Sequence, residues 1–172
     1  MLKIIAAIFT VFFVLESCND SQNTSELESQ ENRNQTALIA FMDKAWNEKD
    51  LAAIDTYFSE GIVRKVNGVN LASSKNELTA NLQVYFTGFP DLKIELDHMI
   101  SDGNETYMSW TITGSNTGVF GELPPTGKRI KISGITRMLF DEQGKIEVEE
   151  AYYNELSLLQ QMGHTLSPPV LE

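Results

Sequence analysis

The constraint that narrows the fold of this chain most is a change of period at Leu92. Upstream, large apolar residues recur at three- and four-residue steps; downstream they recur at every second position. Leu92, Ile94, Leu96, His98 and Ile100 alternate with Lys93, Glu95, Asp97 and Met99, the pattern of a strand with two unlike faces. Asp102-Gly103-Asn104 supplies a turn, and Glu105 to Asn116 predicts the next strand. Lys128 to Phe140 predicts a third long strand. Asp141-Glu142-Gln143-Gly144 then turns the chain into a fourth, at Lys145 to Tyr153. Strands in series predict an antiparallel sheet.

Before Leu92 the pattern is helical. Leu38, Phe41, Met42, Ala45 and Trp46 form one apolar face over Ala37 to Lys49, with Thr36 placed to cap it. Asp50 caps a short helix carrying Leu51, Ile54, Tyr57 and Phe58. Ser74-Lys75-Asn76-Glu77 has the spacing of a capping box and opens a third helix with Leu78, Leu82, Tyr85 and Phe86, ended by Gly88 and Pro90. Glu155 to Met162 predicts a closing helix. Helices followed by four strands predict an α+β fold, N-terminal helices packed on a curved antiparallel sheet that leaves a cone-shaped cavity.

The first residues do not belong to this pattern. Ile4 to Leu15 is an almost unbroken apolar run after the basic Lys3. Twelve residues span about 18 Å as a helix, short of a hydrocarbon core of roughly 30 Å, so residues 1–17 read as a signal peptide rather than a membrane span. Leu15-Glu16-Ser17-Cys18 resembles a bacterial lipoprotein box, which implies an exported protein lipid-anchored at Cys18 to the cell envelope. Cys18 is the only cysteine, so the domain is left with neither a disulfide nor a cysteine nucleophile. Residues 18–35 carry one large apolar side chain, Leu27, and read as a disordered tether; a helix rich in Glu and Gln is the alternative. The folded domain is then 36–163, and residues 164–172, with Pro168 and Pro169, form a tail.

The net charge is −11. Removing residues 1–17 takes away one basic and one acidic residue, Lys3 and Glu16, and leaves it unchanged. A surface this acidic argues against nucleic-acid binding and against electrostatic adhesion to anionic lipid. Membrane attachment would rest on the covalent anchor.

Four segments stand in order along the domain: Gly88-Phe89-Pro90-Asp91-Leu92, the run Gly118-Val119-Phe120-Gly121-Glu122-Leu123-Pro124-Pro125-Thr126-Gly127-Lys128, then Gly144-Lys145-Ile146, and Leu158-Leu159-Gln160-Gln161-Met162-Gly163. Together they resemble the SnoaL-like polyketide cyclase (ester cyclase) family over roughly residues 36–163. The resemblance implies a nuclear transport factor 2-like fold with a small-molecule pocket. It also implies dimer formation through the sheet as a possible assembly. The family's cyclases close a polyketide ring by aldol chemistry, with an Asp on the last strand as acid/base. Aligned through Pro124-Pro125-Thr126 and Gly144-Lys145-Ile146, that Asp position falls on Ala151. Its supporting polar positions fall on Gly134 and Thr136, and a substrate-contacting Asn position falls on Arg64. Ala151 cannot move a proton, which removes the aldol mechanism in its familiar form. The positions of a common His-Trp pair are Glu149 and Glu150, and a common Asp before the last helix is Asn154.

Glu149 lies two residues before Ala151 and shares its strand face. It is the candidate for a relocated general acid/base, with Arg64 or Tyr153 as partner. Three alternatives stand beside it. Glu147, Glu149 and Glu150 are solvated strand residues; or Arg64 and Glu149 form a structural ion pair; or the apolar face of Ile146 and Val148 is the inner one, which makes Glu150 the pocket residue. Trp46, Tyr57, Phe86 and Trp110 are candidates to line the pocket or to fill the core. His98 and His164 are too far apart to suggest a metal site. The glycine-containing loop 118–127 lacks the ending of a phosphate loop. No cofactor is expected. The expected partner is a small, mostly apolar molecule.

Overall fold

The computed structural model describes residues 17–168; the apolar run of the expected signal peptide lies outside them. Helix α1 spans Ser17–Phe41 and continues into a π-helical turn at Met42–Asn47. Helix α2 (Ala53–Tyr57), strands β1 (Phe58–Val66) and β2 (Val69–Ala72), and helix α3 (Lys75–Gly88) follow. Then come β3 (Lys93–Asp102), β4 (Glu105–Ser115), β5 (Arg129–Phe140), β6 (Ile146–Tyr153) and helix α4 (Glu155–Gln161). Among the described residues no helix is long and apolar enough to cross a membrane.

The strands form one open, six-stranded sheet in the order β2-β1-β6-β5-β4-β3. The expected four-stranded antiparallel sheet is corrected in two ways. Strands β1 and β2 form a hairpin in addition to the four expected strands, and β1 runs parallel to β6. Asn67 and Gly68 make the hairpin turn with φ of 50° and 83°, the left-handed values that an Asn-Gly pair tolerates. The turn is tied to the neighbouring strand: the Asn67 amide donates to the Ala151 carbonyl at 2.9 Å, and its Oδ1 accepts from the Tyr153 amide at 3.1 Å.

Local signals place the helices. Ser74 caps α3, its Oγ accepting from the Glu77 amide at 3.3 Å, and Glu77 Oε2 accepts in return from the Ser73 amide at 2.6 Å. Asn154 caps α4 through the Ser157 amide at 2.9 Å. The expected tether is corrected at its C-terminal end. Helix α1 extends through residues 18–35, and its last turns there dock on the β3–β4 hairpin. Glu31 accepts from the Gly103 amide at 2.8 Å, Gln35 donates to Ser101 Oγ at 3.0 Å, and Asn34 is buried. Glu31 and Gln35 read as solvated in sequence, but an amide and a hydroxyl of the β3–β4 hairpin give them partners.

The core lies between the helices and the concave face of the sheet. Leu38 and Phe41 of α1, Leu78 and Leu82 of α3, and Met138, Phe140 and Ile146 of the sheet are fully buried there. At the end of the π turn Asn47 grips the edge strand, donating to the Ile94 carbonyl at 3.1 Å and accepting from the Ile94 amide at 3.0 Å. The helical layer is thereby fixed over the sheet, with Met42 and Trp46 buried between them.

Candidate functional site

A cavity of about 20 Å³ lies inside the cone, room for about one water molecule. Three rows of paired residues on the sheet carry most of its lining. The first runs Arg64–Glu149–Met138, the second Ala151–Thr136–Met108, and the third Tyr153–Gly134–Trp110. Of the residues singled out from sequence, Trp46, Arg64, Trp110 and Thr136 line the cavity, as do Glu149, Ala151 and Tyr153. Tyr57 does not: it packs on Phe41 in a tilted contact, ring centroids 6.0 Å apart. Phe86 lies behind the wall, in a T-shaped contact with Trp46 at 5.8 Å. Met42, Tyr85, Ile94, Met108 and Ile112 complete the lining. Their inward positions were legible as helical or alternating apolar faces, but no sequence signal separates a cavity wall from a filled core.

The orientation of β6 is decided by one irregularity. Phe140 pairs with Ile146 and Leu139 with Val148, so Glu147 is an extra residue on β6. A bulge of this kind inverts the alternation. Ile146 and Glu149 therefore both face inward, and Glu150 faces outward, where it pairs with Lys65 at 2.9 Å and Arg137 at 3.2 Å. The alternative that placed Glu150 in the pocket is corrected by this bulge.

Arg64 and Glu149 are each 3% exposed. Arg64 Nη1 donates to Glu149 Oε1, and the guanidinium carbon lies 5.8 Å from the centre of the Trp46 ring, a cation–π arrangement. The pair leaves two buried polar atoms without hydrogen-bond partners, Arg64 Nε and Glu149 Oε2. Two other polar groups at the wall are engaged. Trp110 Nε1 donates to Thr136 Oγ1 at 2.8 Å, and the Tyr153 and Tyr85 hydroxyls lie 3.2 Å apart. Burial, reinforced by Tyr85, pushes the Tyr153 phenol well above its ordinary range, so it stays protonated. Gly134 has a steric reason: a Cβ there would stand 2.4 Å from the Trp110 ring, so the indole lies flat across the strand only because nothing projects from it.

The glycine-containing loop 118–127 packs against the end of α3. Asn116 anchors it, donating to the carbonyls of Gly88 (3.1 Å) and Gly118 (3.0 Å) and accepting from the Thr126 amide (2.8 Å) and hydroxyl (3.0 Å). Phe120 of the loop packs on Tyr85 and Phe89, each at 5.3 Å. A Cβ on Gly118 would stand 1.9 Å from the Thr87 carbonyl oxygen. The segments around Gly88 and Gly118 are thus in contact. His98 is exposed on β3, and His164 follows α4.

Several solved structures share this architecture. A candidate SnoaL-like polyketide cyclase from Jannaschia sp. CCS1 superposes with a TM-score of 0.72 at 18% identity, covering 81% of this chain and 95% of its own. A phenazine biosynthesis-related protein from Pseudomonas aeruginosa gives 0.69 at 15% identity, covering 87% and 97%. TsrD from Streptomyces laurentii gives 0.68 at 20%, covering 77% and 96%. At these identities the likeness establishes the fold. Among curated proteins none is significantly similar in sequence. Residues 36–162 match the family model described as SnoaL-like polyketide cyclase, most of the chain and all of the sheet: the protein belongs to the SnoaL-like polyketide cyclase family.

Proposed function

We propose that this protein binds a small, mostly apolar molecule in the cone, using the Arg64–Glu149 pair as the polar anchor. The observation that carries this reading is the pair of buried, unbonded atoms, Arg64 Nε and Glu149 Oε2, on the wall of an otherwise largely apolar cavity. Leaving such groups without partners costs about 1–3 kcal/mol each, more where charged. A ligand that meets them recovers that energy. A molecule larger than one water enters by moving Met42 and Met108, whose unbranched side chains adapt readily. A thermal-shift screen of small apolar compounds tests the reading. Hits raise the melting temperature of the wild type and have no effect on Ala151→Leu, which fills the cavity; hits that stabilise both proteins equally bind elsewhere.

A second reading adds proton transfer, as in an isomerisation or cyclisation. It is favoured by Glu149 Oε2, a carboxylate oxygen that Arg64 leaves unbonded beside the position of Ala151. Under it, Glu149→Gln loses turnover of a cognate substrate even at concentrations that saturate the variant. Equal turnover by the variant removes Glu149 from the chemistry.

We also propose export and lipid anchoring at Cys18, supported by the apolar run Ile4 to Leu15 and the Leu15-Glu16-Ser17-Cys18 box. The intact mass of the membrane-extracted protein tests it. The expected product begins at Cys18 and carries acyl chains; an unmodified thiol there overturns it. Pairing of two copies through the outer sheet face is supported by Ile135 and Tyr152, which oppose each other on β5 and β6 and are 57% and 50% exposed. Sedimentation of Ile135→Lys against wild type tests it, and two identical monomeric profiles defeat it.

A further inference from the structure

Resting on the binding reading, we infer that the cavity selects an uncharged ligand whose head group both donates and accepts a hydrogen bond, such as a primary amide, an alcohol or an enol. Three observations lead there. First, Arg64 and Glu149 neutralise one another, so the wall carries two full charges and no net charge. Second, each keeps one buried atom unbonded, and the two atoms are complementary: Arg64 Nε is a donor and Glu149 Oε2 an acceptor. Third, the remaining polar groups on the wall do not compensate a ligand charge. Thr136 Oγ1 receives the Trp110 indole, and the Tyr153 hydroxyl lies against Tyr85.

The selection follows from charge burial. An anionic head group can accept from Nε, but it brings a second negative charge beside the Glu149 carboxylate. A cationic one can donate to Oε2, but it brings a second positive charge beside the guanidinium. Either buries a net charge, for which the desolvation penalty is several kcal/mol. A neutral head group with a donor and an acceptor satisfies both free atoms and adds no charge. A neutral group that only accepts satisfies one and leaves Oε2 bare.

The chain contains two tryptophans, Trp46 and Trp110, and both line the cavity. Intrinsic fluorescence therefore reports directly on its filling. We would titrate the full chain with four probes of nearly equal shape: benzamide, benzoate, benzamidinium and acetophenone. The expected result is a saturable change with benzamide, binding at least about tenfold weaker for benzoate and benzamidinium, and acetophenone in between. Glu149→Gln uncovers the guanidinium and moves the preference to benzoate. Arg64→Gln uncovers the carboxylate and moves it to benzamidinium. A purely structural ion pair produces no such exchange of preference. The double variant Arg64→Gln/Glu149→Gln restores a neutral wall and the preference for benzamide; it and the wild-type ranking decide the matter even where a single variant does not fold. Benzoate or benzamidinium binding the wild type as tightly as benzamide overturns the charge selection and leaves ligand binding standing. No saturable change with any of the four overturns the binding reading and the selection with it.

Discussion

Two ion pairs stand side by side across β1 and β6 and differ in almost everything else. Arg64 opposes Glu149, and Lys65 opposes Glu150, in consecutive steps of the same parallel register. The first pair faces the helices, is buried, and retains an unbonded atom on each partner. The second faces outward, where Glu150 is shared between Lys65 and Arg137, and Arg137 in turn binds Glu105. The comparison teaches that composition does not assign a role to a carboxylate on a strand. The pleat puts neighbours in different solvents. On one side a charge pair must be argued as a site or as a specificity device. On the other it is part of a solvated network.

The largest effect expected from breaking this comparison is on the inner pair. Glu149→Gln or Arg64→Met alone leaves an unmatched buried charge and should lower stability by about 3–5 kcal/mol in urea denaturation. Replacing both, as Arg64→Met/Glu149→Leu, should recover most of that loss or exceed it. A double-variant loss equal to the sum of the two single losses would show that the pair is not coupled.

Gly134→Ala comes next. The added methyl meets the Trp110 ring and should cost about 1–3 kcal/mol with a red-shifted tryptophan emission; an unshifted spectrum at wild-type stability refutes the tight packing of that row. Glu150→Gln, on the outer face, should lower stability by less than about 1 kcal/mol, and the difference should shrink further in high salt. A loss as large as that of Glu149→Gln would erase the contrast between the faces.

The smallest effect concerns Glu105, also on the outer face. Hydrogen bonds from Arg137 and Tyr107 hold its carboxyl down at about 2, against an ordinary 4.5. Because the folded-state value is depressed, the interaction adds stability above the ordinary value and loses it as pH falls from about 4.5 to about 2. Carboxyl NMR should place the Glu105 midpoint near pH 2 and move it up toward the ordinary value in Arg137→Gln. A midpoint unaffected by Arg137 would remove that contact as its cause.

Much of the frame was legible from residues alone. The capping box at Ser74–Glu77, the cap at Asn154 and the period-two alternation of β3 to β6 are local signals, and each element formed where its signal lies. The β1–β2 hairpin was harder to read. Ile62, Arg64 and Val66 do alternate before Asn67-Gly68, but Gly61 and the charged pair Arg64-Lys65 blur the pattern. The partner that stabilises β1 is 85 residues away on β6. The length of α1 was misjudged for a related reason: the turn that receives Glu31 and Gln35 is distant in sequence. Tyr57 belongs to the core because α2 directs it at Phe41, and nothing within its own segment reports that neighbour.

By itself the sequence determined α3, α4 and strands β3 to β6, the capping box at Ser74–Glu77, the cap at Asn154, and the family, because these depend on contacts a few residues apart and on motifs read in order. It also determined that Ala151 cannot move a proton, a matter of side-chain chemistry alone. The tertiary structure decided that Glu149 rather than Glu150 enters the cavity and that Arg64 meets it there. A strand repeats every two residues, so the single extra residue at Glu147 turns every later side chain to the opposite face. Its position is set by pairing across β5, which is information that no segment of β6 carries alone.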